Sequence, residues 1–262
     1  MACSKNSPVC PEMRDQSRIW DDINIPKCCK ENLLTLLVET ADFFNNNNIN
    51  YWIDYGTLLG FIRDGEIIPW DRDVDFSIFA SDFGKLNEAF SEHGEFNFGS
   101  STMRNAHGDN ARIEFVDYSL DSGLVYMPSM GPDYFGNAAT IPRVFFSFVN
   151  RLYADIYSYS GDETHYFLDE LTTHKSAVIR QEDGKPRPEV KTLFHGLRRS
   201  PKKHFDKLES INIKGVDVKI PSDPEEYLAI RYGPNWKIPD PKFYKKYPPG
   251  TEKYKEMCDG NF

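Results

Sequence analysis

What this sequence lacks narrows its chemistry. Its six histidines (His93, His107, His165, His174, His195 and His204) show no HExxH spacing, and there is no GxSxG and no P-loop. Zinc-protease, serine-hydrolase and ATPase readings therefore have no support, and each histidine reads as a surface or satisfied core residue. No CxxC pair occurs among the five cysteines, Cys3, Cys10, Cys28, Cys29 and Cys258. The odd count and the adjacent Cys28-Cys29 argue against a zinc knuckle and favour free thiols near the two ends. An intermolecular or end-to-end disulfide stays open for a secretory chain. Met1 to Asp15 has no apolar core of the signal-peptide kind and no run long enough to span a membrane, so the expectation is a soluble chain. Cations are also short: 31 Lys and Arg face 40 Asp and Glu, for a net charge of −9. That balance excludes a general nucleic-acid binder, which holds phosphate backbones with Lys and Arg.

What is present suits one globular unit. The 262 residues are 40% hydrophobic and 14% aromatic, enough for one sizeable core and several buried strands. No internal repeat or clear linker appears. The expected organisation is a flexible arm over residues 1–20, one domain over 21–245 and a tail over 246–262. Leu33, Leu37, Ala41 and Phe44 recur at helical spacing after Pro26, and the Asn45 to Asn48 run ends that helix. Ile49 to Asp54 reads as a strand broken at Gly56-Thr57, and Leu58 to Arg63 as a short helix. Val74 to Phe79 alternates like a strand, and Ser81 or Asp82 caps a helix carrying Phe83, Leu86, Ala89 and Phe90. Strand-like runs follow at Arg112–Tyr118, Gly123–Met127 and Tyr153–Tyr157. Residues 128–143 read as a loop and 181–200 as a basic surface connection. A hairpin turns at Lys214-Gly215, and Pro224 to Tyr232 is a helix stopped by Gly233-Pro234. The fold class is α/β (α+β), a mixed sheet flanked by helices.

The chemistry concentrates in Tyr55-Gly56-Thr57-Leu58-Leu59-Gly60 and Pro69-Trp70-Asp71-Arg72-Asp73-Val74-Asp75-Phe76. Residues two apart on a strand share a face, so Asp73 and Asp75 project together, roughly 7 Å apart along the strand, while Val74, Phe76 and Ile78 enter the core. Two such carboxylates repel each other unless a cation sits between them, and oxygen-rich sites suit Mg²⁺ or Mn²⁺. A third acid from another strand is expected: Asp155 first, with Asp117 as runner-up, because an acid among apolar residues is costly to bury without a partner. Asp71 shares the parity of Asp73 and Asp75 and is a second-rank candidate. Gly56, Thr57 and Gly60 mark a turn into a helix whose N–H groups can meet a donor phosphate, with Arg63 on the same helix. An ion pair of Arg63 with Asp64 or Glu66, and a plain packing role for the two glycines, are the competing readings. A calcium loop starting at Asp71 fails because Phe76 stands where Gly is needed and Asp82 where Glu is usual.

These two stretches resemble the signature of the LicD/fukutin family. Ile220 to Leu228 and Arg231-Tyr232-Gly233-Pro234-Asn235-Trp236 are similar to its second hallmark, and Asp155 matches the acid between them. The resemblance covers roughly residues 30–240. It implies a nucleotidyltransferase-type fold, Mg²⁺ or Mn²⁺ dependence, and transfer of a phospho-alcohol, phosphocholine or ribitol phosphate, from a CDP-activated donor to a glycan. Asp73, Asp75 and Asp155 carry over as metal ligands, Asp71 joins them as a catalytic candidate, and Tyr227, Tyr232, Gly233 and Trp236 read as structural. A Golgi-lumenal or membrane-associated location is the alternative the resemblance raises. Asp71 or Asp155 is the candidate to accept the hydroxyl proton. Two other readings stand beside this one: a nucleotidyltransferase moving a nucleoside monophosphate, and a non-catalytic domain binding a glycan or protein.

Overall fold

The computed structural model describes residues 5–6, 25–104, 110–128, 142–147, 149–150, 152–168 and 199–242. Most of the expected arm, the loop at 128–143, the basic connection at 181–200 and the tail lie outside the described residues. Lys5, in the expected arm, is docked: its Nζ meets Glu39 Oε2 at 2.6 Å and the Ser122 carbonyl at 2.5 Å. Cys28 is disulfide-bonded, which corrects the expectation of a free thiol at that one position. It opens the first helix beside Cys29, and of the two adjacent residues it is Cys29 that turns into the core.

Helix α1 (Lys27–Asn46) buries Leu33, Leu36, Leu37, Ala41 and Phe44 against the sheet. It stops in the asparagine run, where Asn48 takes φ 54°, a left-handed conformation that asparagine tolerates better than most residues. Next come β1 (Tyr51–Ile53), α2 (Tyr55–Arg63), β2 (Val74–Phe79) and α3 (Phe83–His93). Asp82 precedes α3 without capping its backbone; its carboxylate accepts from Asn50 Nδ2 at 3.0 Å and pairs with Lys85 at 2.8 Å.

The remaining strands are β3 (Gly94–Arg104), β4 (Asn110–Leu120), β5 (Val125–Met127), β6 (Arg143–Phe145), β7 (Tyr153–Gly161), β8 (His165–Leu168) and β9 (Ser200–Pro201). They form one sheet in the order β1-β2-β7-β6-β5-β4-β3, with β8 and β9 continuing from the far end of β7. The β2–β7 pair is parallel and the other described pairs are antiparallel. A separate hairpin, β10 (Glu209–Ile213) and β11 (Val216–Ile220), turns at Lys214 and Gly215, both at positive φ as a tight two-residue turn requires. Helix α4 (Pro224–Tyr232) follows, its Asp223 side chain accepting from the Glu226 N–H. This is the expected mixed sheet flanked by helices. No helix among the described residues is long and apolar enough to cross a membrane.

One corner of this fold differs from the sequence reading and holds the site in place. Helix α2 begins at Tyr55, not at Leu58, because Asp54 ends β1 and caps the helix, accepting from the Tyr55 N–H at 2.8 Å. The Asp54 carboxylate is fully buried. Desolvation would make it costly, but donors surround it: Tyr227 Oη at 2.8 Å, Ser77 Oγ at 2.9 Å, Trp52 Nε1 at 3.3 Å and Arg231 Nη2 at 3.5 Å. Tyr55 sits at φ 46°, a strained value for a bulky side chain. Its hydroxyl meets Tyr159 Oη at 2.6 Å, and the Arg231 guanidinium lies 4.4 Å over its ring. Packing that over-determines the residue is what lets such strain persist.

Removing Arg231 would leave the Asp54 carboxylate buried without its cation, so Arg231→Met should cost about 3–5 kcal/mol in urea unfolding, and Asp54→Asn in the same chain should recover part of it. Gly60 is held as tightly: a Cβ there would lie 2.5 Å from the Glu66 carbonyl oxygen and 3.1 Å from Ile68. Gly60→Ala should therefore lower the unfolding free energy by about 1–3 kcal/mol, against the gain that alanine brings to an open helix position.

Candidate active site

The acids converge because of the parallel β2–β7 pair. Its register sets Asp75 opposite Asp155, and Val74 opposite Ala154. Neighbouring strands put paired residues on one face, so both carboxylates emerge on the side away from the core. Val74, Phe76, Ala154 and Ile156 are fully buried on the other side. Asp73 immediately precedes β2 and joins them: one oxygen from each of Asp73, Asp75 and Asp155 lies within 4.8 Å of the other two. Asp75 and Asp155 are buried and Asp73 half-buried. Asp117 belongs elsewhere. It lies on β4, three strands from β7, where Asn97 Nδ2 donates to it at 2.9 Å.

Asp71 stands beside this group. One of its oxygens is buried without a hydrogen bond, and a Cβ on Gly56 would come within 2.5 Å of that same atom. Gly56 is therefore the residue that makes room for Asp71. Thr57 is tied to the acids differently: its Oγ1 accepts the Asp75 N–H at 2.8 Å, fixing the backbone that carries the carboxylate. Gly60 serves packing, as described above. Arg63, roughly 9 Å along the helix from Thr57, donates through Nε and Nη2 to the two carboxylate oxygens of Asp64, at 2.9 and 2.6 Å, with only 6% of its side chain exposed. The ion-pair reading of Arg63 thus describes its position.

The cation that does meet the acids is one the sequence reading did not single out. Arg143, at the start of β6, pairs in register with Asp155, and its Nε donates to Asp155 Oδ1 at 2.5 Å. Its guanidinium lies 4.1 Å over the Tyr153 ring, and Tyr153 hydrogen-bonds Asp73. Only the sequence Pro142-Arg143-Val144-Phe145 hinted at it. A three-residue strand at the end of a Pro- and Gly-containing stretch is too short for alternation to show.

The electrostatics follow from this crowding. Burial, then repulsion from Asp155, pushes the Asp73 carboxyl up to about 6, with Arg143 and Tyr153 opposing. Burial, then Asp73, Asp71, Asp155 and Asp54, holds Asp75 well above the usual carboxylate range. Asp71 is raised in the same sense by burial and by Asp73. For Arg143, burial disfavours the charge, but Asp155 and the surrounding phenols more than offset it and keep the guanidinium protonated. Carboxylates that cannot all ionise together, with oxygens converging on one point, suit a hard divalent cation. The three converging acids could hold one.

Residues 48–127, which contain α2, Asp71, Asp73 and Asp75, match the family model described as LicD/FKTN/FKRP, nucleotidyltransferase domain. The chain is 24% identical over 220 residues to human ribitol 5-phosphate transferase FKRP, covering 82% of this chain and 34% of that protein. It is 24% identical over 218 residues to human ribitol-5-phosphate transferase FKTN, covering 83% and 36%. The chain thus spans about a third of the length of these curated relatives. A solved structure of the antibiotic-resistance factor ANT(2'')-Ia aligns at a TM-score of 0.35 with 13% identity, over 88% of this chain and 82% of that one, a likeness too slight to bear on the fold. Residues 48–127 of this chain are thus similar to the LicD/FKTN/FKRP nucleotidyltransferase domain, and both human relatives align over about four-fifths of its length.

Proposed function

We propose that this chain is a metal-dependent phosphotransferase that moves a phospho-alcohol from a CDP-activated donor to a glycan hydroxyl. The observation that carries the reading is the convergence of Asp73, Asp75 and Asp155 within 4.8 Å. The human relatives FKRP and FKTN are ribitol 5-phosphate transferases, and their activity suggests the substrate class. Asp73, Asp75 and Asp155 would hold Mg²⁺ or Mn²⁺. Such an ion neutralises a diphosphate and polarises its phosphoryl oxygens. The acceptor oxygen attacks the phosphorus that bears the alcohol. A new O–P bond forms as the bridging P–O bond breaks, and the electron pair leaves on CMP.

The proton of the acceptor hydroxyl goes to a carboxylate, and Asp71 is the better placed. Asp155 is committed to Arg143 and to the ion, whereas Asp71 stands beside the three with its affinity for a proton raised. Of the residues expected at the donor phosphate, Gly56 and Thr57 keep their place beside the acids in the first turn of α2. Gly60 and Arg63 lie further along the helix with partners of their own.

Asp73→Asn and Asp75→Asn should each reduce turnover of a CDP-alcohol by about a hundredfold or more with the fold intact, since positioned charge is the main catalytic term available. CMP release monitors the reaction. Pyrophosphate release from a nucleoside triphosphate would favour nucleotidyl transfer instead, and full activity in either variant would sink the assignment.

Stability should depend on pH in a way that a cation cancels. The folded chain binds more protons than the unfolded chain wherever a carboxyl is raised, here from the ordinary 3.8 to about 6 at Asp73. Folding stability without metal should therefore fall as pH rises through that window. Thermal melts between pH 4 and pH 8 should show this decline, a restoring effect of Mn²⁺ that is largest at the alkaline end, and a shallower slope in Asp73→Asn.

A further inference from the structure

We propose that Arg143 is the residue that grips the donor's diphosphate and takes up the charge that develops on the leaving phosphate. The inference rests on the transferase reading above and assigns its phosphate-binding cation. Three carboxylates and a diphosphate together carry more negative charge than one divalent ion can offset, so the site needs a cation of its own. Arg63, on the same helix as Gly56 and Thr57, does not supply it, being engaged by Asp64 through its Nε–Nη2 edge with only 6% of its side chain exposed.

Arg143 is built for the task. Its Cα faces that of Asp155 across the β6–β7 pair, so the guanidinium stands at the rim of the acid group. Only Nε is used, by Asp155; among the described residues neither Nη group makes a hydrogen bond, and 25% of the side chain is exposed. The Tyr153 ring fixes the guanidinium plane from one side, and Tyr153 is itself tied to Asp73. The arrangement leaves part of a rigid planar fork open beside the point where the carboxylates converge. Such a fork recognises two phosphate oxygens at once, which a flexible ammonium does less well. As the acceptor O–P bond forms and the bridging P–O bond breaks, the electron pair moves onto the CMP phosphate, and the free Nη groups hydrogen-bond that developing charge.

The test uses the full chain with Mn²⁺ and compares wild type, Arg143→Ala and Arg143→Lys. Calorimetry reads inorganic pyrophosphate and CDP binding, and electron paramagnetic resonance reads Mn²⁺ binding. Arg143→Ala should weaken pyrophosphate binding about tenfold to a hundredfold, as expected for lost charge-assisted hydrogen bonds. Mn²⁺ affinity should hold or tighten, because Asp155 loses a competitor. Arg143→Lys should recover only part of the loss, and it serves alone if the alanine variant does not fold. Unchanged pyrophosphate affinity in the variants would overturn the proposal. So would an equal fall in Mn²⁺ and pyrophosphate binding, which would reduce Arg143 to a support for Asp155. Wild type that binds pyrophosphate through Arg143 but not CDP would leave the Arg143 assignment standing and remove the CDP-donor reading. Wild type that binds neither would remove both.

Discussion

Parallel pairing of β2 with β7 is the constraint on which the site depends. It joins two segments far apart in the chain and sets Asp75 directly beside Asp155. Burying carboxylates together is unfavourable, and the raised proton affinities of Asp71, Asp73 and Asp75 register that cost. What holds them there is the opposite face of the same strands. Val74, Phe76, Ile78, Ala154 and Ile156 are fully buried against α1 and its neighbours. A slip of one residue in either strand would turn the acids into the core and the apolar side chains into the site. The apolar core thus enforces the electrostatic tension that a cation can relieve.

The C-terminal segment around α4 finds its physical meaning at the corner around Asp54. Tyr227 and Arg231 of α4 reach across the molecule to a carboxylate at the junction of β1 and α2. Asp54 also accepts from Ser77 on β2, and its N–H donates to the Asp75 carbonyl at 3.1 Å. Helix α4 therefore braces the backbone that carries the acids, and the strained Tyr55 is locked between Tyr159 and Arg231. The β1–α2 junction and α4, distant in sequence, are halves of one polar joint. Trp236, beyond the end of α4, is buried in the apolar core.

Charge divides the site into two sides. The acids gather at the entry to β2 and on β7, while Arg143 stands on β6 with Tyr153 under its guanidinium. The diphosphate donor proposed above would use both sides, a place for a divalent ion and a fixed cation that does not leave with it. The overall acidity of the chain is thus no obstacle to an anionic substrate.

By itself the sequence determined the elements whose signals are local. The period of α1, the alternation of β2, the Lys214-Gly215 hairpin and the capped, glycine-stopped α4 all lie in short windows governed by backbone preference. Asp73 and Asp75 were legible for the same reason, since parity along one strand places them together. Asp155 was set ahead of Asp117 by its more apolar setting and by the family resemblance, and strand order puts β7 next to β2 and β4 three strands further away. Tertiary structure alone also placed Arg143 beside Asp155, paired Arg63 with Asp64, and made Asp54 the hub of the polar joint. Each of those roles is a contact between residues on different elements, or a choice between equally reachable partners. Pairing geometry and burial settle such contacts, and neither is written in the order of the residues.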